Sequence, residues 1–150
     1  MRDELRLERT FDASPEQVFD AWTNPKVLKR WWAPGPDWES PLVEVDLRVG
    51  GRYRLATRNP ESGQVHTVAG EYTEIDRPNR LSYSWGWENE PRSDHVSKVT
   101  VDFLAADGRT TVVLTHEDLE SDKSYGFHAF GWTEVMKSLE RRIFPAAARA

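Results

Sequence analysis

Residues 121–144 read SDKSYGFHAFGWTEVMKSLERRIF. His128, Trp132, Val135, Leu139 and Ile143 recur at offsets of three and four, which places them on one stripe of a helix. The spacing predicts a long terminal helix, capped near Ser121, with one face turned to a core. Gly126 and Gly131 interrupt the pattern, although each glycine costs roughly 1 kcal/mol relative to alanine in a helix interior. Their presence predicts a close backbone approach or a hole beside the helix. An apolar stripe of this length needs a broad partner, and the upstream sequence supplies one.

From residue 38 to 116 every segment has strand character, with VGG, NPESG, DRPN, ENEPRSD and AADG as turns, which makes six strands. The most telling is RLSYSWGW, residues 80–87. Leu81, Tyr83, Trp85 and Trp87 alternate with Ser82, Ser84 and Gly86, so the rings share one face of a pleated sheet. A further strand is predicted over 4–11, ELRLERTF, with Leu5, Leu7 and Arg9 on its dry side. Between it and the rest lies ASPEQVFDAWTNP. Ser14 is a good N-cap, Pro15 suits the first helical position and Gln17 completes a capping box. Val18, Phe19 and Trp22 form the apolar stripe, and Asn24-Pro25 ends the helix because a residue before proline avoids the α region. A second short helix, about Lys26 to Trp31, carries Val27, Leu28, Trp31 and Trp32 before APGP stops it.

The hairpin at Gly50-Gly51 carries an expectation about register. Val43, Val45 and Leu47 on one strand meet Tyr53 and Leu55 on the next if residues 47 and 53 are partners, with Val49, Gly50 and Gly51 as a three-residue loop. That register sets Asp46 opposite Arg54 on the outer face. Arg52, Arg54 and Arg58 share that face, which reads as solvated and balanced by Glu44 and Asp46.

Composition bounds the function. The 150 residues are most economically one domain, 1–150, with 38% hydrophobic and 30% charged residues and seven tryptophans. The absence of cysteine excludes a disulfide scaffold, a thiol nucleophile and thiolate metal ligation, and fits a reducing cytoplasm. No segment has the apolar run of a secretory signal or a membrane span, so a cytoplasmic protein is expected. A net charge of −5 argues against nucleic acid as a general partner.

One strand, two short helices, six strands and a long terminal helix form the order of the helix-grip fold: an α+β architecture in which a curved antiparallel sheet of about seven strands wraps around the last helix. The chain resembles the START-like or SRPBCC superfamily, and within it the proteins related to the C-terminal domain of the activator of heat shock protein 90 ATPase. The segments ASPEQVFDAWTNPKVLKRWWAP (13–34), VEVDLRVGGRYR (43–54), GEYTEIDRPNRLSYSW (70–85) and GWTEVMKSLERRI (131–143) carry the resemblance. It implies a deep cavity between sheet and terminal helix and, for most members, no settled activity. Under it, Tyr53, Leu55, Tyr83, Trp85 and Trp87 line the concave face, with the helix across them and Phe127, His128, Phe130 or Trp132 turned inward. His116 follows Val112 and Leu114 on an apolar strand face and reaches toward the same space.

These readings make Tyr53, Leu55, Tyr83, Trp85, Trp87, His116, His128 and Trp132 candidate contacts for a small hydrophobic or aromatic ligand. A solidly packed aromatic core is the alternative. Neither metal nor cofactor is called for: His66, His95, His116 and His128 lack i, i+4 pairing, and no partner thiol exists. Glu71, Glu74 and Glu117 are the carboxylates that would serve as a base if buried, but no acid and base pair is recognisable, so no catalytic residue is assigned. The Gly50-Gly51 pair joins strand to strand and cannot cradle phosphate as a strand-to-helix loop does. Three functions remain open: a ligand-binding module, a co-chaperone-like interaction domain, and a cyclase, isomerase or hydrolase using the cavity. The eukaryotic activator carries a large N-terminal domain and this chain begins directly with the first strand, so no unaided stimulation of a chaperone ATPase is expected.

Overall fold

The protein's structure, a computed structural model, describes residues 4–88, 96–119 and 122–145. The elements run β1 (Leu5–Phe11), α1 (Pro15–Thr23), α2 (Pro25–Trp31), β2 (Val43–Val45), β3 (Arg52–Arg58), β4 (Val65–Asp76), β5 (Arg80–Trp87), β6 (Ser97–Ala106), β7 (Arg109–Glu117) and α3 (Asp122–Arg142). The seven strands form one antiparallel sheet in the order β1-β7-β6-β5-β4-β3-β2. This is the α+β architecture that the sequence predicts. The cap expected near Ser121 and nearly all of the turn ENEPRSD lie outside the described residues.

Local chemistry explains the two short helices. The Ser14 side chain accepts from Gln17 N at 3.2 Å and the Gln17 side chain accepts from Ser14 N at 2.9 Å, completing the capping box. Asn24 serves both helices. Its N–H closes α1 on Asp20 O, while its side chain accepts from Lys26 N to open α2. Trp31 Nε1 donates to Ala21 O and Ser138 Oγ donates to Trp31 O, so α1, α2 and α3 are tied through one buried tryptophan. Arg142 donates to the carbonyls of Arg30, Gly35 and Pro36, which fixes the segment after α2 to the end of α3.

The register at the first hairpin differs from expectation. Val45, not Leu47, pairs with Tyr53, and Glu44, not Asp46, faces Arg54. The loop is therefore longer than three residues, running over 46–51. Hydrogen bonds from Arg48 N to Asp46 O and from Gly51 N to Arg48 O curl it. Gly50 N to Tyr72 O and Tyr72 N to Gly51 O then hook it onto β4. Gly50 takes φ +86°, a conformation open to glycine at little cost. A shift of two residues preserves the faces, so Val43 and Val45 still share a face with Tyr53 and Leu55 while Leu47 leaves the sheet, 43% exposed. Arg54 donates to Glu44 and to both oxygens of Glu88, and the Arg54–Glu88 bonds hold the Glu88 carboxyl below its ordinary range. Asp46 pairs instead with Arg48.

A second irregularity lies in β4. The Gly70 backbone runs against the Ser84 carbonyl and the Tyr53 ring, leaving no room for a β-carbon. Tyr53 OH donates to Ser84 O at 2.6 Å and Glu71 N donates to Ser84 Oγ at 2.9 Å, which replaces regular ladder bonds at this point.

Candidate functional site

The face of the sheet beneath the helices has two ends of different character. At one end Tyr53, Tyr72 and Tyr83 meet with ring centroids 5.2–6.1 Å apart, and Trp22 Nε1 donates to Tyr83 OH at 3.3 Å. Leu28 from α2 and Leu55 and Leu81 from the sheet close around them, leaving a void of only about 10 Å³. That is the lower limit for a single water, so this end is packed core. Burial pushes all three tyrosine hydroxyls well above their ordinary range, since a phenolate here would lose its hydration.

At the other end lies a cleft of about 510 Å³. Trp85 and Trp87 of β5 form its floor, and Trp132, Val135 and Gly131 of α3 form one wall. Trp32, Pro34 and Trp38 of the segment after α2 form another, and Thr57 and His66 contribute from β3 and β4. Phe127 and Phe130 stand at the rim, 58% and 68% exposed.

Two histidines organise the polar atoms beneath these rings. Trp132 Nε1 donates to His116 Nδ1 at 3.1 Å, so the neutral His116 ring carries its proton on Nε2, 2.7 Å from Ser97 Oγ. That hydroxyl donates onward to Trp85 O at 3.3 Å. His128 Nε2 accepts from two indoles, Trp85 Nε1 at 3.2 Å and Trp87 Nε1 at 3.1 Å. An indole N–H only donates, so Nε2 is the unprotonated nitrogen of that ring. The two imidazoles lie 4.8 Å apart, edge to face. Among the described residues, every buried side-chain nitrogen and oxygen has a partner.

The candidate residues from the sequence divide between the ends. Trp85, Trp87, His128 and Trp132 line the cleft, whereas Tyr53, Leu55 and Tyr83 sit in the packed end. His116 is fully buried and meets the cleft wall through Trp132. Of the two explanations for Gly126 and Gly131, close approach fails: a β-carbon at either would meet nothing within 4 Å, and Gly131 borders the cleft. Glu71 and Glu74 are exposed, Glu117 is half-buried, and none lines the cleft. The sequence reading missed Pro34, Trp38, Thr57 and His66 as parts of one wall. A signal existed for Trp38, a large ring within APGPDW. Its indole lies where a β-carbon on Gly35 would fall, which is why the turn there takes glycine.

Among the described residues no three His, Cys, Asp or Glu side chains are grouped to hold a metal ion, and no helix is long and apolar enough to cross a membrane. No curated protein sequence matches the chain.

Solved structures do resemble it. A Chromobacterium violaceum protein aligns at 25% identity and a TM-score of 0.82, over 92% of this chain and 95% of its own. The AHSA1 protein of Silicibacter pomeroyi aligns at 29% identity and 0.79, with the same two coverages. An HSP90 activator from Plasmodium falciparum aligns at 28% and 0.73, over 93% of this chain and 95% of that one. The family model described as Activator of Hsp90 ATPase homolog 1-like protein matches residues 12–143, so the chain belongs to that family.

Proposed function

We propose that the protein binds a small apolar or aromatic molecule in the cleft between β5 and α3. The observation that carries this reading is the cleft itself, about 510 Å³ and walled by Trp32, Trp38, Trp85, Trp87 and Trp132, beside an end of the same face that is packed solid. Its volume falls in the range of pockets that take small molecules, roughly 300–1,000 Å³. Burying ~300 Å² of ligand surface at about 25 cal/mol per Å² gives about 7 kcal/mol before association costs, an affinity near micromolar at best.

The test uses N-phenyl-1-naphthylamine, a neutral fluorescent probe, with native mass spectrometry of freshly purified protein to find any co-purifying molecule. Gly131→Leu is the informative variant, because a β-carbon there meets nothing within 4 Å and the rest of the side chain would extend from the cleft wall. Saturable probe binding by the wild type, lost in a folded Gly131→Leu protein, is the expected result. Binding that is equal in both proteins overturns the reading.

A second reading follows from the Plasmodium falciparum HSP90 activator, most of whose chain aligns with this one. In it the protein contacts a chaperone, and the exposed Phe127 and Phe130 would be part of the contact. Steady-state ATP turnover by a cognate chaperone, with and without excess protein, discriminates the two. No acceleration is expected, and a several-fold rise would put this reading first.

A further inference from the structure

Where the indoles of Trp85 and Trp87 meet His128, the cleft holds an incompletely satisfied pair of donors. Trp85 and Trp87 aim both indole N–H groups at a single atom, His128 Nε2, at 3.2 and 3.1 Å. A neutral imidazole nitrogen offers one lone pair in the ring plane, so two donors share what would serve one well. A carboxylate or carbonyl oxygen has two or more lone-pair sites and would satisfy both indoles separately. The helical turn bearing His128 is bounded by Gly126 and Gly131, each with open space around it, so α3 is intrinsically weak on both sides of this residue. No carboxylate lines the cleft among the described residues, so no side chain of opposite charge there would pair with an ammonium.

The geometry points to a ligand class: a flat apolar body bearing one oxygen acceptor, which takes the Trp85 and Trp87 N–H groups in place of His128 Nε2. This rests on the cleft being a small-molecule site, as proposed above. His128 acts as the stand-in acceptor of the empty cleft, keeping both indole donors partnered until the ligand's oxygen replaces it. The rings supply the affinity for the body, and the paired N–H groups select the acceptor.

Competition against bound N-phenyl-1-naphthylamine tests this with four probes on one framework: 2-naphthoic acid, 2-acetonaphthone, 2-ethylnaphthalene and 2-naphthylmethylamine. The acid or the ketone is expected to compete about tenfold more strongly than the hydrocarbon, as two recovered hydrogen bonds allow, with the amine weakest. Whichever of the acid and the ketone is stronger identifies the acceptor as carboxylate or carbonyl. Trp87→Phe removes one N–H and part of a ring in the cleft floor, so every probe should weaken, but the acceptor probes several-fold more than the hydrocarbon. In ¹⁵N spectra the Trp85 and Trp87 indole resonances and His128 Nε2 should move with the acceptor probes and not with the hydrocarbon. Equal competition by all four probes, or a preference for the amine, overturns this inference while the cleft remains a binding site. Failure of the naphthylamine itself to bind removes the cleft reading and this inference with it.

Discussion

Trp132 and His116 form a buried donor and acceptor pair whose energy can be isolated. Trp132 is 3% exposed and His116 is fully buried, with 3.1 Å between indole Nε1 and imidazole Nδ1. Trp132→Phe keeps an aromatic ring against Trp85, 4.8 Å away between centroids, but leaves Nδ1 without this donor. A buried polar atom stripped of its partner costs about 1–3 kcal/mol. The smaller ring leaves a cavity worth about 1 kcal/mol more, so the variant should lose roughly 2–4 kcal/mol in all. His116→Leu should lose a similar amount by orphaning the indole N–H. The Ser97 hydroxyl keeps the Trp85 carbonyl as its acceptor. In the double variant neither orphan exists, so its loss should fall short of the sum of the two by both penalties together, about 2–6 kcal/mol. Urea unfolding followed by far-ultraviolet circular dichroism reads this directly, because that signal does not depend on tryptophan emission. Losses that add within about 0.5 kcal/mol would show that the pair is merely adjacent, and the tautomer assigned to His116 would fall with it.

Three further outcomes follow from the packing. Gly131→Ala should raise stability by up to about 1 kcal/mol, because the new methyl meets nothing and alanine favours helix; an unchanged or lower melting temperature would contradict the open space beside α3. Gly70→Ala should cost about 3 kcal/mol, because its methyl would run into the Ser84 carbonyl and the Tyr53 ring, and a wild-type urea midpoint would refute that close approach. Tyr53, Tyr72 and Tyr83 hold their protons in the folded state above the ordinary value near 10, so the unfolded chain loses protons first as pH rises. Their stabilisation is complete below about pH 10 and should then fall by about 1.4 kcal/mol per tyrosine for each pH unit; tyrosinate absorbance from these residues at pH 11 in folded protein would contradict it.

What the sequence made legible was whatever depends on local spacing. The alternation in RLSYSWGW, the Ser14 and Gln17 box and the stripe from His128 to Ile143 each follow from a periodicity or a cap that neighbours along the chain determine. The hairpin register was not legible for a physical reason. A slip of two residues leaves every side chain on the same face, so hydrophobic alternation is blind to it. What distinguishes 45–53 pairing from 47–53 is the hook from Gly50 and Gly51 to Tyr72, a contact over twenty residues away. The division of the candidate site was hidden in the same way. Tyr83 and Trp85 are indistinguishable by period, yet one faces Trp22 of α1 and the other faces Trp132 of α3. Trp38 and His66 lie on segments with no periodic relation to β5.

That division has a consequence for how stability and binding relate. Where α1 and α2 lie over the sheet, Trp22 and Leu28 reach the tyrosines and little volume remains. Beyond Trp85 and Trp132 the sheet faces α3 and the segment bearing Trp32, Pro34 and Trp38, and there the helix offers Gly131 beside the open volume. The two tryptophans, 4.8 Å apart, act as a partition held upright by His116 on one side and His128 on the other. The tyrosine side is therefore the more closely packed, and the cleft side keeps exposed apolar surface, at Phe127 and Phe130 above all. A chain selected for stability alone gains by replacing Gly131 with a larger apolar residue, since that position has room and glycine is among the poorest helix formers. Retaining the glycine costs stability and preserves volume, so Gly131→Leu should move the two properties in opposite directions: a higher melting temperature together with the loss of the probe site.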